Sequence, residues 1–129
     1  MRDYQRKRNN PYYLPKTLYH RVIAVIRDYD RQCEEIDNVL YGTADHDGVT
    51  VAGGMPGKPT ESAALRLAQY ENDTEAVEQA LIQIPEEYRK EVFDNIRVGE
   101  RFPNTAHRST WFRWKRKFVW YVAENLNLV

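Results

Sequence analysis

Two runs of apolar residues, each stepping by three or four, constrain most of what this 129-residue chain can become. Tyr19, Val22, Ile26, Tyr29, Cys33, Ile36 and Leu40 form the first run. Leu67, Tyr70, Thr74, Val77, Leu81 and Ile84 form the second. Steps of three and four put side chains on one face of an α-helix. The spacing therefore predicts one helix over residues 16–40, about 25 residues or ~37 Å at the helical rise, and another over 60–84. Neither is apolar enough to stand alone, and two helices with one seam each are best satisfied by facing each other. The intervening YGTADHDGVTVAGGMPGKP, residues 41–59, holds five of the six glycines. Such a stretch sustains no helix and lets the two helices pair antiparallel. The same seams also admit pairing between two copies, a homo-oligomer.

The punctuation of the remaining third is clear. Pro85 with Glu86 and Glu87 is a helix start, and Gly99 is a helix stop. Tyr88, Val92, Phe93 and Ile96 give that helix its buried side. ERFPNTA follows as a short connection, and a last helix runs from about His107 to Asn125, with Trp111, Trp114, Phe118, Tyr121 or Val122, and Leu126 on its apolar side. Only VTV at 49–51 is strand-like. The expected fold is all-α: a flexible basic arm over 1–15, a long antiparallel helical hairpin over 16–84 with its loop at 41–59, and a helix-turn-helix-like unit over 85–129. Tyr12, Tyr13 and Leu14 are the arm residues suited to docking on the body.

Several function classes find no support in the residues. AGGMPGKPT imitates a phosphate-binding loop, but Ala52 replaces its first glycine, and Pro59 stands where the magnesium-binding hydroxyl belongs. DHDG at 45–48 lacks the further oxygen ligands of a calcium loop. His20, His46 and His107 match no zinc spacing. Cys33 is the lone cysteine; it excludes an intramolecular disulfide and, on the apolar stripe, reads as a small buried hydrophobe. No serine, cysteine or metalloprotease motif occurs. The chain reads as a non-enzyme without cofactor or metal. No apolar run follows the basic N-terminus, so no signal peptide is expected, and no stretch approaches the ~20 apolar residues a membrane span needs; a cytoplasmic location is expected.

Charge is more informative by position than by sum. Nineteen basic residues balance nineteen acidic ones, yet residues 1–10 carry Arg2, Arg6, Lys7 and Arg8 against Asp3. Residues 97–117 carry seven cations against Glu100. Basic ends around acidic middle helices favour an oriented encounter with an anionic surface. Within HRSTWFRWKRKF, residues 107–118, helical spacing separates Trp111, Trp114 and Phe118 from Arg108, Ser109, Thr110, Arg113, Arg116 and Lys117. A major-groove helix needs that division: an apolar back, and short polar plus cationic side chains toward bases and phosphates. A core helix with a charged outer face shows the same division.

The order of features resembles the RinA/ArpU-like phage late-transcription regulators of Gram-positive bacteria. The likeness spans about residues 16–129 and rests on GMPGKPTE, IPEEYRKEVFDNI and STWFRWKRKFVWYVAENLNLV. It implies a C-terminal part like sigma-70 region 4, a helix-turn-helix whose last helix enters the major groove of double-stranded DNA, and the activation of phage or prophage late genes. Contact with RNA polymerase follows from the same likeness. Carried over, Arg108, Ser109, Thr110, Arg113, Arg116 and Lys117 would face DNA, and Trp111 and Trp114 would be core. The chain departs from the family at ERFPNTAH, which has room for one turn where members have a full helix. The alternative expectation is a helical interaction or assembly protein that oligomerises through its hairpin.

Overall fold

The computed structural model describes residues 10–42 and 61–129. Most of the basic arm, the loop segment 43–60 with its phosphate-loop imitation and DHDG, and the expected cap Thr60 lie outside these residues. Five α-helices and no strand occur among those described: α1 Lys16–Arg27, α2 Tyr29–Asp37, α3 Glu61–Ile82, α4 Glu86–Val98 and α5 Arg108–Asn125. A π-helical turn, Asn38–Gly42, extends α2.

The single helix expected over 16–40 is two. Asp28 breaks it, with φ −90° and ψ 4°. Its carboxylate accepts from the Arg31 guanidinium at two positions and from Gln32 Nε2, so the side chain serves the first turn of α2. The break lets the two halves find different partners. Arg27 Nε donates to Ile96 O at 3.2 Å, tying the end of α1 to the end of α4. Arg97 bridges Asp94 on its own helix and Asp30 on α2, both at 2.6 Å. Accordingly α1 packs on α4 and α5, while α2 packs on α3. Tyr29 Oη donates to Glu78, and Arg31 lies over the Tyr70 ring, so numbers rise on α2 as they fall on α3 and the pair runs antiparallel. Direct pairing with α3 thus belongs chiefly to α2, whereas the expected hairpin used the whole of 16–40.

The apolar stripes are buried unevenly. Tyr19, Val22 and Ile26 of α1 are core; Tyr29, Cys33 and Ile36 of α2 are half-buried; Leu40 is exposed. Cys33 is therefore not the fully buried residue the stripe implies, although burial still pushes its thiol up. On α3, Val77 and Ala80 join a core that also takes Leu14, Val92, Ile96, Trp111, Phe118 and Val122; α2 adds no buried residue to this cluster, but its half-buried Tyr29 packs against it. The start of α3 lies outside it; Leu65 there is exposed, as are Val39, Leu40 and Tyr41 at the far end of α2 and its π-turn.

α4 begins after Pro85 and ends at Gly99, as its punctuation requires. Gly99 takes the left-handed conformation, φ 79°, in which L side chains are strained, and the Glu100 amide returns to Asp94 O. Residues 99–107 contain no helix. Two hydrogen bonds then fix α5 at its ends: Trp111 Nε1 donates to Pro103 O at 3.1 Å, and Asn125 Nδ2 donates to Ala76 O at 3.0 Å.

Candidate nucleic-acid interface

α5 starts at His107, whose Nδ1 accepts the Ser109 amide at 3.0 Å and lies 2.9 Å from the Ser109 hydroxyl. A side chain that satisfies an open N–H of the first turn stabilises a helix start. The apolar side of α5 is then locked by aromatics. Trp111 is 2 % exposed. Phe102 stacks on it, Tyr88 meets it edge-on at 5.2 Å, and Tyr88 also stacks on Trp114. Further along, Phe118, Val119, Val122 and Ala123 are buried. Burial on one side decides which side chains are left for a partner.

At about 100° per residue, Ser109, Thr110, Arg113, Arg116 and Lys117 fall within about 120° of arc, opposite Trp111 and Phe118. Ser109 and Arg113 are exposed, and Thr110, Arg116 and Lys117 are half-buried. The sixth expected residue, Arg108, is exposed but falls outside that arc and lies over Phe112, 5.4 Å from the ring centroid. The structure thus brings five of the six together and sets Arg108 to one side. Ser109 also has a local task, because its hydroxyl and amide are both engaged by His107.

Among the described residues, ion pairs link Arg31 to Asp28, Lys90 to Asp94, and Arg97 to Asp30 and Asp94; none involves Arg108, Arg113, Arg116 or Lys117. Glu86 and Glu87 are exposed, and no ion pair among the described residues uses them or the half-buried Glu91. Arg108, Arg113 and Lys117 rest instead on rings. Arg113 lies 6.0 Å from the Trp114 centroid, and Lys117 lies 4.7 Å from Trp114 and 5.7 Å from Tyr12. Such contacts are worth about 0.5–1 kcal/mol at exposed sites. They orient a cation without neutralising it, so its charge stays available to an anion.

Three participants escape helical spacing. Tyr12 reaches α5 from far away in sequence, meeting Trp120 edge-on at 6.1 Å. Lys115 lies on the other side of α5, over Phe112 and beside a groove that also holds His20 and Arg27. Arg27 there already serves the carbonyl end of α4. Phe102 fixes both Trp111 and Phe112 from the connection. Only Tyr12 had a signal, as an aromatic among polar arm residues.

No group of three or more His, Cys, Asp or Glu side chains that could hold a metal lies among the described residues. No helix among them is long and apolar enough to cross a membrane. Comparison with protein-family models, curated proteins and solved structures gives no match.

Proposed function

We propose that this chain binds double-stranded DNA through the outer face of α5 and acts, without enzymatic activity, as a cytoplasmic transcriptional regulator of the phage late-gene activator type. One observation carries the reading: Arg113, Arg116 and Lys117 share an arc with Ser109 and Thr110, and none forms an ion pair among the described residues. A helix that needed its charges for the fold would pair them with α4's acids. The resemblance to RinA/ArpU-like regulators supplies the regulatory role and RNA polymerase as a second partner. Phosphate contacts supply affinity, and side chains at base edges supply sequence preference.

The test is a gel shift of prophage promoter fragments at increasing salt, comparing the wild type with the Arg113→Ala, Arg116→Ala double variant. The wild type should shift the fragments and lose affinity as salt rises. Equal affinity of the folded double variant would remove α5 as the binding helix.

A second reading is a helical assembly protein. The exposed Val39, Leu40, Tyr41 and Leu65 favour it, because exposed apolar side chains suit contact with a second copy. A concentration-dependent mass by sedimentation, abolished by Leu40→Glu with Leu65→Glu, is the result it requires.

A further inference from the structure

We propose that Trp114 is a positioning residue for DNA binding: its indole is the platform that holds the Lys117 ammonium and the Arg113 guanidinium in place on α5 before a phosphate arrives. The inference rests on the DNA-binding reading of α5.

Helical spacing groups Trp114 with the core residues of α5, yet it is only half-buried, whereas Trp111 one turn before it is 2 % exposed. Position on the helix accounts for the difference. At about 100° per residue, Trp114 lies about 60° from Lys117, at the border between the buried side and the outward arc. Its partners are accordingly of two kinds. Tyr88 of α4 meets the buried Trp111 edge-on at 5.2 Å and stacks on Trp114, with 5.8 Å between centroids and 22° between planes. Trp111 is itself fixed by Phe102 and by Pro103 O. The other partners are charged: Lys117 Nζ is 4.7 Å from the Trp114 centroid, and the Arg113 guanidinium is 6.0 Å from it. Order in the core thus passes through Tyr88 to Trp114, and from Trp114 to two cations.

Tryptophan is the ring that attracts cations best, and Lys117 is closer to Trp114 than to Tyr12, which is 5.7 Å away. A long cationic side chain gives up rotamer freedom when it takes a phosphate, and one already ordered over a ring gives up less. The ring carries no formal charge, so the ammonium keeps all of its own. The platform therefore changes how tightly a phosphate is held and not how many are held. Arg116, the third cation of the arc, makes no ring contact among the described residues and serves as an internal control.

The experiment is fluorescence anisotropy of a labelled promoter duplex over a range of salt, with the full chain and each variant checked for folding by circular dichroism. Trp114→Leu keeps apolar bulk and removes the ring; Trp114→Phe keeps a ring. Trp114→Leu should weaken binding roughly three- to tenfold at every salt concentration. Its slope of log affinity against log salt should match the wild type, because the cations still meet phosphates in the complex. Trp114→Phe should recover most of the loss. Lys117→Met, which deletes a phosphate contact, should instead flatten the slope by about 0.9. The loss from Trp114→Leu should shrink in a Lys117→Met background and stay whole in an Arg116→Gln background. A loss of equal size in both backgrounds, or wild-type affinity in Trp114→Leu, overturns the proposal and leaves the α5 reading standing. Absence of salt-dependent wild-type binding overturns both. The wild type alone gives a second measurement, independent of whether Trp114→Leu folds. The ε-methylene protons of Lys117 should be shifted upfield in the proton NMR spectrum by the indole ring current, and random-coil shifts there overturn the proposal.

Discussion

Phe102 and Trp111 stack nearly parallel, 5.2 Å between centroids and 7° between planes, across the connection that leads into α5. The indole is buried on both faces and donates its N–H to Pro103 O. Trp114, one turn on, is only half-buried. The two tryptophans should therefore behave differently. Trp111→Ala should cost about 3–5 kcal/mol and Trp114→Ala about half that. Urea denaturation measures both, and equal costs would contradict the difference in burial.

Asp94 links pH to the junction of α2 and α4. Hydrogen bonds from Arg97 and Lys90 hold its carboxyl below the usual carboxylate range. A depressed folded pKa gives stability that is present above the unfolded value, near 3.9, and lost as pH falls through the folded one. Asp94→Asn should destabilise by on the order of 1 kcal/mol at neutral pH. The gap from wild type should close in acid, and thermal melts between neutral pH and pH 2 record whether it does.

Asp73 has the opposite sign. It is 7 % exposed on α3, and burial pushes its carboxyl up against the lowering hydrogen bonds of Gln69 and Gln32. A raised folded pKa gives stability that is full below the unfolded value and lost as pH rises through the folded one. At neutral pH the buried carboxylate is a burden. Asp73→Asn keeps an acceptor for Gln69 Nε2 and should stabilise by about 1 kcal/mol at pH 7, with no gain near pH 3. A destabilised Asn variant at pH 7 would show that the charge is needed where it stands.

If α5 binds duplex DNA as proposed, Lys117 and Arg113 should separate affinity from sequence preference. Lys117→Ala should weaken binding to all duplexes alike and flatten the salt slope by about one. Arg113→Ala, if its guanidinium takes a guanine edge, should cost about 1–3 kcal/mol chiefly on the preferred site. Competition between specific and random duplexes distinguishes the two, and a uniform loss from Arg113→Ala would make it another phosphate contact.

How far the sequence could be read depends on what each signal measures. Pro85 and Gly99 delimit α4 because their backbone chemistry is local, and the bounds of α5 were equally legible. The break at Asp28 was not, since Ile26, Tyr29 and Cys33 keep their helical steps across it. The contacts that distinguish its two sides are tertiary: Arg27 bound to Ile96 O, and Arg97 bound to Asp30, residues nearly seventy positions away. In the candidate site, helical spacing places five of six residues on one arc, because they follow the helix axis. The same spacing leaves Arg108 off that arc, at the first turn beside Phe112, on a side shaped by Phe102. Tyr12's contact with Lys117 depends on a turn at Asn10 that no periodicity records.

The two hydrogen bonds at the ends of α5 prevent that helix from rolling about its own axis. Trp111 to Pro103 O holds one end and Asn125 to Ala76 O the other, and neither uses a side chain of the outward arc. Rotation by a single residue, about 100°, would carry Arg113 off its face and break both tethers at once. The outward side chains can therefore be exchanged while the scaffold keeps its aim. Substitution at Thr110, Arg113, Arg116 or Lys117 therefore changes the chemistry of that face and removes neither tether.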